Sequence, residues 1–224
     1  MISRIVKPEL LDELPAADLA AQRSRADLRR LNRMMGHAGL IANSLRTAPS
    51  VKRICDLGSG DGSLILRVAQ KLRWRDVELT MVDRQPVISA ETEIEFAALG
   101  WRITIVSDDV FTALQAAPRC DVITANLFLH HFPPAELSEL LALVAERANL
   151  FIACEPRRSA LALWASHRVG MVGCGPVTRH DAIASICAGF RDGELTASWP
   201  TESRWRITER PAGLFSHLFT ARKW

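Results

Sequence analysis

The run Asp56-Leu57-Gly58-Ser59-Gly60-Asp61-Gly62 sets one carboxylate ahead of three glycines at alternate positions. Glycine serves where backbone bends sharply, takes positive φ or lets a ligand approach closely. An acid beside such a turn suits a cationic partner. A second carboxylate, Asp83, follows the apolar run Val77 to Val82. At the tip of a strand beside a glycine loop, a carboxylate can accept both hydroxyls of a ribose; its competing role is a helix cap or turn. The pair His130-His131 lies just past the run 121–126. Histidine titrates near neutrality and is the natural general base of this group, against a structural role in the loop. Glu155, His167 and His180 are further titratable candidates. Glu155 precedes Pro156-Arg157-Arg158, and an ion pair with an arginine is its expected state.

These groups need elements to place them. Short apolar runs predict strands over 52–57, 77–82, 102–106, 121–126 and 149–154, as for parallel strands covered on both faces. Helices are predicted over 63–72, 87–99, 111–117, 134–147, 159–169 and 179–188, with Pro133-Pro134 as a start signal and Gly100 as a stop. Alternation of strand and helix gives a doubly wound α/β sheet, whose ligands sit outside the carboxyl ends of the strands. The tail departs from this pattern. Glu194 to Trp199, 204–209 and Gly213 to Arg222 read as strands that pair antiparallel. Residues 1–50 form a helical preface, with Asp18 to Met35 as a helix carrying Leu28, Leu31 and Met35 on one stripe. Arg23, Arg25, Arg29, Arg30 and Arg33 decorate it, ordinarily as a solvated basic face.

At 224 residues and 48% apolar composition, the chain suits one α/β domain plus an extension. The net charge of +3 is not gathered into one long run, which argues against a dedicated nucleic-acid surface. No apolar run is long enough to span a bilayer, and the start has no signal-peptide pattern. The five cysteines form no Cys-x-x-Cys pair, so neither a metal site nor a disulfide framework is expected. Cys55, Cys120 and Cys154, in or beside predicted central strands, read as small buried hydrophobes of a reducing cytoplasm.

An acid followed by Gly-x-Gly-x-Gly after a first strand resembles the cofactor loop of class I S-adenosylmethionine-dependent methyltransferases, and the chain is similar to that family from residue 51 onward. The resemblance implies a Rossmann-like, mostly parallel seven-stranded sheet with a reversed last strand over 51–224. It assigns Asp56 and Gly58 to the amino-acid end of the cofactor, and Gly60 and Gly62 to close approach and turn. Asp83 takes the ribose, with Arg84 beside the adenine. Asp109 takes the adenine amino group, and the amide of Val110 meets a ring nitrogen. Asn126 lies beside the sulfonium, which Phe128 or Phe132 can face. The helix within 1–50 becomes a lid, with Asn32 and Met35 nearest the acceptor. Gly170 to Pro176, between His167 and His180, lines the acceptor pocket. The product is S-adenosylhomocysteine.

The preface and Glu155-Pro156-Arg157-Arg158-Ser159 resemble bacterial methyltransferases of polyketide, phenolic-lipid or quinone tailoring, a likeness that implies a small phenolic, polyketide or quinone-like acceptor. Asn126-Leu127-Phe128-Leu129 is not the Pro-Pro motif of base methylation, and no Pro-Cys nucleophile or added RNA-binding module is present. Two rivals stand beside this reading. A nicotinamide oxidoreductase needs Gly-x-Gly-x-x-Gly, but Ser63 occupies the third glycine position and the chain has no tyrosine. A non-catalytic cofactor-binding scaffold of the same fold is the second.

Overall fold

The computed structural model describes residues 3–48, 50–201 and 204–224. Its elements run α1 Leu10–Glu13, α2 Leu19–Met35, α3 His37–Leu45, β1 Arg53–Leu57, α4 Ser63–Leu72, β2 Val77–Asp83, α5 Ala90–Ala98, β3 Trp101–Ser107, α6 Val110–Ala116 and β4 Cys120–Asn126. After a short 3-10 turn come α7 Pro134–Arg147, β5 Ala148–Pro156, α8 Ala160–Ser166, α9 Pro176–Ala188, α10 Glu194–Ser198, β6 Trp205–Ala212 and β7 Ser216–Lys223.

The strands form one sheet in the order β3-β2-β1-β4-β5-β7-β6. The first five are parallel, and β7 inserts antiparallel between β5 and β6. The order reverses between β1 and β4, which opens a crevice at their carboxyl ends. Register brings Asp56 level with Met81 and Thr124, and Asp83 level with Ser107. The acidic strand tips are therefore neighbours by pairing alone.

Apolar side chains cover both faces. Leu57, Ile123, Phe151 and Phe219 pack with Leu137, Leu140, Leu141 and Val144 of α7 on one side. Ile54, Leu79, Val122 and Ile152 pack with Ile65 and Val68 of α4 on the other. Ala38, Ile41, Ala42 and Leu45 of α3 join this second core. Burying Ile41 and Leu45 alone contributes about 3–6 kcal/mol. Residue 50 is thus no break between cores, because α3 is one of the helices covering the sheet.

Asp18 caps α2, accepting from the Ala20 amide at 2.6 Å, and Gly36 ends it at φ 72°. The tail corrects one expectation: Glu194 to Trp199 is helical at Glu194–Ser198. Alternating apolar residues suggest a strand there, but the Glu209 carboxylate accepts from the Leu195 and Thr196 amides and so satisfies the start of a helix. Leu195 and Trp199 remain buried, Trp199 lying 5.0 Å from the Trp205 ring. The helix predicted over 159–169 stops at Ser166, and the next turn is 3-10 over Val169–Val172. Among the described residues, no helix is long and apolar enough to cross a membrane.

Candidate active site

A cleft of about 460 Å³ opens at the carboxyl ends of β1, β2 and β4. Its floor is the glycine loop. Gly58, Gly60 and Gly62 all have positive φ. At Gly58 a Cβ would stand 2.3 Å from Cδ2 of Phe128, so no larger residue fits. At Gly60 a Cβ would meet nothing within 4 Å, leaving open space above the loop. Gly62 does not line the cleft; its Cβ position faces Ile88 and Met81, and it turns the chain into α4.

Asp56 is buried and accepts a 2.6 Å hydrogen bond from the Thr124 hydroxyl. Burial raises its pKa to about 7, with the charge of Asp83 adding to the rise against that hydrogen bond. Asp83 accepts from the amides of Gly60 and Gln85, both at 2.8 Å, tying the loop to the tip of β2. Asp109 caps α6 through the Phe111 amide at 2.9 Å. Asp108, Asp109, Val110 and Arg84 line the same end of the cleft.

α2 crosses the opening. Arg25, Leu28, Arg29 and Asn32 line it at i, i+3, i+4 and i+7, one helical face. Arg29 pairs with Asp61 at 2.6 Å, and Arg25 donates to Gln85 at 3.0 Å. The basic residues are thus engaged with the glycine-loop side rather than only solvated. Asn32 accepts from Nδ2 of Asn126 at 3.3 Å, while Oδ1 of Asn126 is buried without a partner. Met35, one turn further on, lies outside the cleft. Leu127 takes φ 51°, an unusual conformation for leucine, and aims the chain from β4 into the next wall.

That wall holds Phe128, His130, His131 and Phe132. Nδ1 of His130 lies 2.8 Å from Glu155, and Nε2 lies 3.2 Å from Glu9. Burial disfavours the imidazolium, but hydrogen bonds to Glu155 and Glu9 and their charges raise its pKa to about 9. Glu9 is correspondingly held at about 2 despite its burial, chiefly through His130. Glu155 pairs with no arginine, contrary to expectation. It is fully buried and also accepts from the Phe128 and Leu129 amides, fixing the loop after β4. His131 is different: Nδ1 lies 3.2 Å from Asp12, and the side chain is 24% exposed in the cleft.

Glu9 and Asp12 carry no sequence signal, because their partners lie far along the chain. α9 holds their segment in place. Asp181 accepts from the Leu10 and Leu11 amides, Ser185 donates to Glu9, and the Ile5 amide donates to the Cys187 carbonyl. His167 and His180 do not line the cleft. His167 ends α8, and His180 pairs with Asp181 at 2.9 Å. The Gly170 to Pro176 segment meets the back of α2 instead, where the Gly175 amide donates to Asp27 at 2.7 Å.

The comparisons agree with this geometry. Residues 54–148 match the family model described as a methyltransferase domain. The match runs from β1 to the first residue of β5, a little under half of the chain. Over 96 residues it is 28% identical to an indolepyruvate C-methyltransferase of Streptomyces griseus; that stretch is 43% of this chain and 29% of the relative's length. A solved O-methyltransferase family protein from Burkholderia thailandensis matches with TM-score 0.62 at 16% identity, over 93% of this chain and 61% of that one. The plantazolicin methyltransferase in complex with SAH matches with TM-score 0.63 at 14% identity, over 93% and 92%. These likenesses confirm the sheet order of the Rossmann-like methyltransferase fold. The cleft also fits S-adenosylmethionine on its own chemistry. Carboxylates end adjacent strands, and backbone lies bare at Gly60.

Proposed function

We propose that the chain transfers the methyl group of S-adenosylmethionine to a hydroxyl of a small phenolic, polyketide or quinone-like acceptor. The observation that carries this is the convergence of Asp56, Asp83 and Asp109 with the glycine loop on one cleft, beneath α2. Asp56 would face the ammonium of the bound cofactor, Asp83 the ribose hydroxyls, and Asp109 with the Val110 amide the adenine. Asn126 would lie beside the sulfonium, and the aromatic face of Phe128 suits that cation. Bound there, the cofactor supplies an already activated electrophilic methyl group. The chain's residues then need chiefly to orient the acceptor, an effect on the order of 7–11 kcal/mol in favourable cases.

His131 is the proposed base. Asp12 orients Nδ1, leaving Nε2 to take the hydroxyl proton. His130, held protonated between two carboxylates, is a positioning residue for that wall. α2 serves as the lid, with Asn32 nearest the acceptor. The buried thiols of Cys55, Cys120, Cys154 and Cys174 support a cytoplasmic setting. A panel of phenols and hydroxyquinones incubated with labelled cofactor tests the reading. O-methyl products from the wild type, lost in Asp83→Ala, are expected. Cofactor affinity equal in wild type and Asp83→Ala by calorimetry would overturn the ribose assignment.

A further inference from the structure

A second groove shares no lining residue with the cofactor cleft. The pairing of β6 with β7 sets Arg206 opposite Arg222, Thr208 opposite Thr220 and Arg210 opposite Leu218. Arg222 is in turn opposite Leu150 of β5, so these side chains occupy one face of three strands. With Ser44 and Thr47 at the end of α3, they surround a cavity of about 290 Å³. Leu150 and Leu218 are its buried floor.

Among the described residues, no carboxylate lines this cavity. Arg222 donates to the Thr47 carbonyl at 2.8 Å and to its hydroxyl. Arg206 lies over the Trp224 ring, 4.9 Å from its centroid, and Arg210 donates to the Pro211 carbonyl at 3.3 Å. Like charges directly opposite one another destabilise a strand pair. A charge on the edge strand β6 has a known use, since it deters pairing with other chains. That use does not extend to Arg222, which stands on the interior strand β7. Guanidinium groups grip phosphate oxygens through paired N–H donors, and hydroxyls add further donors. A cavity walled by three of them, with leucines beneath, fits a charged group attached to carbon.

We propose that this groove binds a phosphate group carried on a partly apolar ligand. That chemistry belongs equally to a soluble phosphate ester and to the headgroup of an anionic phospholipid. The full chain would be titrated with glycerol 3-phosphate and hexyl phosphate by calorimetry. In parallel it would be sedimented with phosphatidylcholine vesicles containing or lacking phosphatidylglycerol. Saturable, salt-weakened binding to at least one phosphate probe is expected; binding to the esters identifies the soluble source, and binding only to phosphatidylglycerol vesicles identifies the headgroup. Arg206→Gln with Arg222→Gln should weaken that binding by at least about tenfold and leave methyl transfer at its wild-type rate. Arg206→Gln with Arg210→Gln, both on exposed edge positions, gives the same readout without disturbing the Thr47 contacts. Failure of every probe to bind, or equal binding by the arginine variants, would overturn the proposal, whatever the outcome for methyl transfer.

Discussion

The two ends of the cleft are built differently. The proposed cofactor end comes from residues at or just past the tips of neighbouring strands, fixed by register and by local contacts such as Gly60 to Asp83. The acceptor end is assembled from an N-terminal segment, the loop after β4 and α9, joined by contacts such as Glu9 to Ser185. The first is a consequence of the fold. The second is a wall laid onto the fold, held by contacts between segments far apart in the chain. Substrate choice and cofactor binding should therefore separate under mutation.

The sharpest way to break that separation is at the histidines. His131→Ala should lower kcat by about 10²–10⁴-fold and leave cofactor affinity unchanged in calorimetry. A matching loss of affinity would mean the two ends are one unit. His130→Gln leaves Glu9 and Glu155 without their shared cation, and breaking such a buried arrangement costs about 3–5 kcal/mol. The folded pKa of His130 is raised to about 9 from 6.5, so its contribution is complete below pH 6.5 and fades as pH rises through 9. Glu9, held near 2, contributes fully above about 4.5 and fails as pH falls through 2. Urea unfolding of wild type and His130→Gln should thus differ most between about pH 4.5 and 6.5 and converge toward pH 9; a constant gap would refute the imidazolium.

At the cofactor end, the cationic ammonium prefers ionised Asp56, whose pKa before binding is about 7. Affinity should fall by up to about tenfold for each pH unit below that value, and Asp56→Asn should flatten the profile. The smallest effect expected is from Asp12→Asn, a loss of about tenfold or less in kcat with cofactor affinity unchanged in calorimetry. An unchanged kcat would remove Asp12 from the orientation of His131.

Legibility followed the same division. Asp56, Asp83, Asp109 and Asn126 were readable because each ends, or closely follows, an apolar run whose strand character is strong. α2 was readable from the Asp18 cap to Met35. Its last turn was misjudged, because the face through Arg25 and Asn32 meets the cleft and Met35 falls beyond it. His167 and His180 were suggested by residue type alone, and tertiary packing puts them elsewhere. Glu155 is expected just past the fifth strand but lies within β5, and sequence order favours nearby arginines over His130, 25 positions earlier. Glu9 and Asp12 were invisible, since an acid in a short N-terminal turn looks like any solvated residue. α10 shows the same limit: its helix depends on Glu209, beyond the segment itself.

The grip of α9 on Leu10 spans 171 positions of chain. The segment therefore docks only once α9 has been made, when β1 to β5 are already available. Until then Glu9 lacks the hydroxyl of Ser185, and the Leu10 and Leu11 amides lack Asp181. A chain halted by a premature stop before Pro176 would keep its glycine loop, but its N-terminal segment would hold to the His130-His131 loop alone, without the clasp of α9.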